Sequence, residues 1–283
     1  MSAAASCLED ALDDLVELRP FPAAASQVIA VSDNPDATAR EVIGIIKQDP
    51  ALSLKVLQVA NSPLYGFSGE IRTVDHAAVV LGFRTLRNLA VSMAVGEVFG
   101  SGDSMTAKAR QDMWTHALSC GSIARTLATA ARVANPDESF LGGIVHDVGK
   151  LFFFDYQPEH YSRIVTVDPG KNSVTAELET FGIAHPRVGQ RCGQNWGLPD
   201  EINDVICFHH EPMATDFDGT LVGVVAAANQ LSKLWGDVPN EDGATRTEIL
   251  TSAGIELSPS EEEEFEKQAL AGMIAVTEAY GLT

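Results

Sequence analysis

Strand-like alternation of apolar and polar residues is hard to find anywhere in this chain, while helix punctuation recurs along its length. Asp49-Pro50 reads as an N-cap followed by a first-turn proline, whose missing N–H costs nothing there. Leu52, Val56 and Val59, joined by Leu57 and Ala60, then form a wide apolar face. Thr73 caps the TVDHAAVVLG stretch and Gly82 stops it. Ser258-Pro259-Ser260 before four glutamates starts a last helix, with acids at the positive end of the helix dipole. The fold class expected is all-α.

Other helices are expected over Cys7–Leu18, ending at Arg19-Pro20, and through REVIGIIK, with Val42, Ile45 and Ile46 on one stripe. Further ones run from about Thr85 to Val98 and from about Met105 to Ala134, separated by the Gly/Ser cluster at residues 99–102. A shorter helix carries FLGGIVHDVGKLFFF. Another begins at Glu177–Phe181 and continues through HPRVGQRCGQNWG, with His185 near a bend at Pro186. Asp200–His209 and Thr220–Trp235 complete the set. Residues 166–173 read as a loop and 236–247 as an exposed connector.

At 283 residues the chain can bury a substantial core. Its 19 basic and 39 acidic residues give a formal charge of −20, which disfavours direct nucleic-acid binding or attraction to anionic lipid. Cys7, Cys120, Cys192 and Cys207 form no Cys-x-x-Cys pair, which fits a reducing compartment. The N-terminus lacks a basic start and an apolar run, and no stretch reaches the roughly 18 apolar residues of a membrane span. A cytoplasmic location is expected, with no membrane partner.

Any chemistry lies between residues 112 and 229. His146 and Asp147 sit together in the apolar segment GGIVHDVGKLFFF, where two ionisable groups are costly unless they bind a cation or each other. Gly142, Gly143 and Gly149 leave room for another helix or a ligand. Asp112 and His116, four apart, share one helix face, and His209-His210 ends a helix. Imidazoles and carboxylates together suit Fe, Mn, Zn or Ni, and a carboxylate bridging two such ions would support phosphate-ester hydrolysis, with Lys150 stabilising a phosphoryl oxygen. The bland readings stand beside these: Asp112-His116 as a helix-surface pair, and His146-Asp147 as a hydrogen-bonded core cluster.

The segments LRPFPA, QDPALSLKVLQVANSPLYG and TVDHAAVVLGFRTLRNLAV resemble the HDOD domain family, joining its D-P-A-L, A-N-S and L-G-x-x-x-L-R-N-L patterns in order. The resemblance continues through WTHALSCGSIA, FLGGIVHDVGKL, AHPRVGQRCGQNWGLPDEI, ICFHHEP and VVAAANQLSKLWG, covering roughly residues 14–236. It implies an all-helical relative of the HD phosphohydrolases, including the HD-GYP cyclic-di-GMP phosphodiesterases, in a bacterial signal-transduction role. The implied layout is an N-terminal helical extension over 1–13 and a domain over 14–236. That domain divides into a helical subdomain (14–102) and an HD-like core (103–236), followed by a connector (237–257) and a C-terminal helix (258–283).

Carried onto this sequence, the HD motif falls on His116, His146 and Asp147, the additional histidines of the two-metal branch on His185, His209 and His210, and its lysine on Lys150. Asp112 stands where that branch often has a glutamate ligand. The implied cofactor is one or two divalent transition metals, with Asp147 and Lys150 as catalytic residues if turnover occurs. Two departures stand out: the terminal aspartate position falls on Asn229, a weaker ligand, and HHE is followed by PMATDFDGT in place of the GYP motif. The resulting expectation is a regulatory module that acts without catalysis by binding a signalling protein partner, with metal-dependent phosphohydrolysis of a nucleotide or cyclic dinucleotide as the alternative.

Overall fold

The computed structural model describes residues 21–32, 38–100, 107–167, 173–212, 220–236, 244–280 and 282. Among them there are helices and no strand. In chain order the helices are α1 (Ala23–Ser32), α2 (Ala39–Gln48), α3 (Pro50–Ala60), α4 (Val74–Leu81), α5 (Phe83–Gly100), α6 (Ala107–Ala131), α7 (Pro136–Val145) and α8 (Lys150–Tyr156). They continue as α9 (Pro158–Val167), α10 (Ser173–Phe181), α11 (His185–Asn195), α12 (Asp200–Phe208), α13 (Thr220–Trp235), α14 (Arg246–Ser252) and α15 (Pro259–Ala279). The helix expected over Cys7–Leu18 lies outside the described residues.

The caps read from the sequence form. Asp49 accepts from the backbone N–H groups of Ala51 and Leu52, both at 3.0 Å, and the Thr73 hydroxyl accepts from His76 N at 3.1 Å. Gly82 closes α4 at φ +84°, a backbone conformation in which any side chain would be strained. Three helices, α1, α9 and α14, were not expected: the Ala-rich α1 lacks a side-chain cap signal in its AAASQVIAVS sequence, and α9 follows α8 after a single residue. Of the connector expected at 236–247, residues 237–243 lie outside the described residues; α14 falls within the connector implied over 237–257, started by a Thr245–Glu248 capping box, with Ile249 and Leu250 buried.

Helix α6 organises the core. Its small residues let α7 approach so closely that a Cβ on Gly143 would stand 2.5 Å from Gly121 Cα. Helices α13 and α15 pack on α6 as well. One apolar cluster runs from Phe21 through α5, α7 and α8 to Val276 in α15, so the N-terminal helices and the later ones share a core. A second cluster, including Ile123, Leu127, Val224, Leu231 and Phe265, joins α6 to α13, α14 and α15. The C-terminal helix is thus docked: although four glutamates open it, Glu262 is buried and paired with Arg246.

Candidate metal centre

The segment expected as one helix, FLGGIVHDVGKLFFF, is two. Helix α7 ends at Val145, His146 caps it, and α8 begins at Lys150. The physical reason lies at Gly149, where a Cβ would stand 2.0 Å from the His185 carbonyl oxygen and 2.6 Å from Gly189 N. The chain turns there because the start of α11 is packed against its backbone. The turn leaves His146 and Asp147 at a corner of the core, 0% and 4% exposed.

A second expected continuity also breaks. Helix α10 stops at Phe181, Gly182 takes φ +75°, and α11 starts afresh with His185 as its first residue and Pro186 behind it. The break puts His185 N–H at a helix N-terminus, where it has no intrahelical acceptor. Glu177 supplies one: its Oε2 accepts from His185 N and from His185 Nδ1, each at 2.7 Å. The Tyr161 hydroxyl donates to Glu177 Oε1 at 2.7 Å. One fully buried carboxylate therefore caps α11, fixes the His185 tautomer and orients the ring.

The rings of His146, His209 and His116 are held in a similar way at Nδ1. His146 Nδ1 contacts Gly143 O at 2.8 Å and His209 Nδ1 contacts Ile206 O at 3.0 Å, so both must donate there. The Ser232 hydroxyl donates to Asn229 O at 2.8 Å, leaving its oxygen to accept from His116 Nδ1 at 3.2 Å. In the neutral rings, every Nε2 so defined is a lone pair, and all of them face Asp147. His185 and His209 Nε2 lie 3.1 and 3.5 Å from Asp147 Oδ1. His146 and His116 Nε2 lie 3.4 and 3.8 Å from Oδ2. His210 Nε2 joins the first side, 3.2 Å from His185 Nε2, which is itself 3.4 Å from His209 Nε2.

The site residues read from the sequence are thus mostly brought together, in two groups sharing Asp147: Asp147, His185, His209 and His210 on one side, His116, His146 and Asp147 on the other. Lys150 Nζ lies 2.6 Å from Asp147 Oδ2. Asp112 does not join; its side chain is 59% exposed and pairs with Lys108 at 2.5 Å. One turn of α6 separates it from His116, but it points to solvent while the histidine points inward. Asn229 is buried on α13, three residues before Ser232, and its Oδ1 has no hydrogen-bond partner.

Electrostatics follow from this crowding. Burial opposes the Asp147 carboxylate, but the Lys150 ammonium and His146 hold its pKa well below the usual range. Burial, followed by the charge of His146, pushes His116 well below an ordinary histidine. Burial likewise lowers His209 to about 3 and depresses His210. His146 goes the other way: burial works against its cation, but Asp147, and after it Cys120, raise it to about 10. For Glu177, burial is outweighed by His185, its hydrogen bonds and Lys150, so its carboxyl lies below the usual range.

The residues fit a metal. His116 Nε2, His146 Nε2 and Asp147 Oδ1 are buried without hydrogen-bond partners, and a cation among them would satisfy all three once the proton that Asp147 favours on His146 has left. Imidazoles with one shared carboxylate suit a divalent transition ion. Glu177 is the residue that sequence reasoning missed. The signal was there: on a helix, Glu177 shares a face with Val174 and Phe181, an acid on the inward stripe, while Leu178 faces out at 51% exposure.

The comparisons agree with this architecture. The HDOD domain model matches residues 18–212. The chain belongs to the HDOD domain family. A crystal structure of a provisionally assigned phosphohydrolase from Shewanella amazonensis SB2B is similar over 100% of this chain and 99% of that one, at 28% identity and a TM-score of 0.78. An HDOD domain protein of unknown function from Geobacter sulfurreducens is similar over 92% and 93%, at 25% identity and a TM-score of 0.76. An uncharacterized protein of Treponema pallidum (strain Nichols) is 29% identical over 245 residues. That match covers 84% of this chain but only 46% of the relative, so this HDOD chain spans about half the length of the curated protein it matches. Among the described residues no helix is long and apolar enough to cross a membrane.

Proposed function

We propose that this HDOD protein is a regulatory module that acts by binding a signalling protein partner, with its His–Asp centre holding a divalent transition metal inside the core rather than turning over a substrate. The observation that carries this reading is the closure of the centre. His146, Asp147, His185 and His209 are at most 4% exposed, and the Asp147 oxygen on the His116 side is already paired with Lys150. A phosphate ester needs an open position beside the metal, and among the described ligands only the partly buried His116 and His210 reach toward solvent.

Two further features support it. Asn229 offers an amide where the resemblance places a carboxylate, and Asp112 faces solvent, so among the described residues the acidic ligands around the centre reduce to Asp147. On the partner side, Leu54 of α3, Phe67 of the following loop and Val79 of α4 stand 59%, 39% and 83% exposed. Large apolar side chains held in water on neighbouring N-terminal elements suit a protein contact.

Phosphohydrolysis is the second reading, favoured by the two oxygens of Asp147 facing separate histidine groups. Bound metal would supply Lewis acidity and activate water; in that reading Asp147 and the histidines hold the metal, and Lys150 leaves Asp147 to meet a phosphoryl oxygen. The test is turnover of bis(p-nitrophenyl) phosphate and a cyclic dinucleotide by protein reconstituted anaerobically with Mn²⁺ or Fe²⁺. The regulatory reading predicts rates no higher than those of the Asp147→Asn variant. Hydrolysis abolished by both Asp147→Asn and Lys150→Met would replace it with the enzyme.

A further inference from the structure

The two faces of Asp147 are not equivalent, and the difference concerns charge. On the Oδ1 side, three Nε2 atoms crowd together: His185 lies 3.2 Å from His210 and 3.4 Å from His209. Oδ1 itself is buried and accepts no hydrogen bond. Asp147 Oδ1 and the Nε2 atoms of His185 and His209 are electron-rich there, the ring of His185 is locked by Glu177 and that of His209 by Ile206 O, His210 Nε2 lies within hydrogen-bond distance of His185 Nε2, and among the described residues no lysine or arginine pairs with Oδ1. On the Oδ2 side the situation is reversed. Lys150 Nζ sits 2.6 Å from Oδ2, closer than His146 or His116 at 3.4 and 3.8 Å.

We infer that this centre holds one divalent metal, on the Oδ1 side with His185, His209 and His210, and that the Lys150 ammonium stands as the permanent second cation on the Oδ2 side. The inference rests on the metal-holding reading above and narrows it. A dication repels the Lys150 ammonium twice as strongly as a unit charge would at the same separation. An ion on the Oδ2 side would therefore have to expel Lys150. It would gain little by doing so, because among the described residues no second carboxylate joins that side: Asp112 is turned to solvent and position 229 is an amide.

The His116 and His146 Nε2 atoms, both buried without hydrogen-bond partners, keep the Oδ2 side competent once the lysine is removed. That makes Lys150 a determinant of how many metals bind, and it explains physically why a nearly complete ligand set need not assemble a pair of ions. A pair about 3.5 to 4 Å apart is the arrangement that clamps both oxygens of a phosphoryl transfer; a lysine in its place leaves a mononuclear core site.

The test is titration of metal-free full-length protein with Mn²⁺ alone, read by electron paramagnetic resonance, which counts bound ions and detects spin coupling between adjacent ones. Wild type is expected to bind about one equivalent with no coupled signal, and Lys150→Gln about two with coupling. His210→Ala, at a partly exposed position, should weaken the wild-type site by more than about tenfold, while His116→Ala should leave it within about threefold. Two coupled ions in wild type would overturn the single-metal inference while leaving the metal-holding reading intact. No binding at all would overturn both. Loss of the single site in His116→Ala, with His210→Ala unaffected and both variants folded by circular dichroism, would put the ion on the wrong side of Asp147 and overturn the inference.

Discussion

Replacing Glu177 by glutamine tests whether one buried carboxylate both stabilises the fold and aims His185. The isostere can keep its carbonyl oxygen toward His185 N and Nδ1 and turn its NH₂ toward the Tyr161 oxygen. Two hydrogen bonds now made to an anion at 2.7 Å then become neutral ones, a loss of about 1 kcal/mol each. The Tyr161 proton, now given to Oε1 at 2.7 Å, loses its acceptor in a fully buried place, which costs about 1–3 kcal/mol. The total is about 3–5 kcal/mol. For a chain of this size that corresponds to a melting temperature lower by roughly 6–20 °C. Loss of the negative charge behind His185 should also weaken metal binding by about 10–100-fold. Differential scanning calorimetry of the metal-free protein and Mn²⁺ titration read the two effects separately. Tyr161→Phe is the control: it leaves the buried Glu177 Oε1 without its donor and should lower stability by about 1–3 kcal/mol, but leave metal affinity nearly unchanged. An unchanged melting temperature in Glu177→Gln would refute the energetic argument. Wild-type metal affinity in a destabilised Glu177→Gln would refute the orienting role.

Other expectations follow from local geometry. Asp49→Ala removes the acceptor of two α3 N–H groups and should cost about 1 kcal/mol by urea denaturation. Gly149→Ala drives a Cβ onto the His185 carbonyl, so it should destabilise by about 1–3 kcal/mol or more and weaken Mn²⁺ binding along with it. Acid should destabilise the fold partly through its capping boxes. Glu41, Glu248 and Glu261 are each lowered by hydrogen bonds from Thr38, Thr245 and Ser258. Their contribution is present above the unfolded carboxylate pKa of about 4.3 and is lost as pH falls through their lower folded values. Urea midpoints measured across that acid range should fall less steeply in a Glu41→Gln, Glu248→Gln, Glu261→Gln triple variant than in wild type; an equal slope would contradict the assignment.

Much of this was legible before any coordinates. The caps at Asp49, Thr73 and Ser258 and the span Thr220–Trp235 could be read because each depends on chemistry within a turn of the residue concerned. Convergence of His116, His146, Asp147, His185, His209 and His210 came from the family resemblance; their spacing in sequence does not dictate it. What escaped is what tertiary packing decides. The break between α7 and α8 is imposed by α11 pressing on Gly149 from 36 residues away, counting from His185 back to position 149. Asp112 shares a helical face with His116 in outline, yet the one is drawn to Lys108 and the other to Ser232. Glu177 looked like part of an ordinary amphipathic helix, and only its place on the inward stripe marked it.

The central claim, that the buried His–Asp cluster is a metal centre, is tested most directly by elemental analysis of protein purified without a metal-chelating tag or added chelator. The account predicts about one equivalent of a divalent transition metal per chain, falling at least tenfold in Asp147→Asn. Less than about 0.1 equivalent in wild type, unchanged after anaerobic reconstitution with Fe²⁺, Mn²⁺, Zn²⁺ or Ni²⁺, would contradict it.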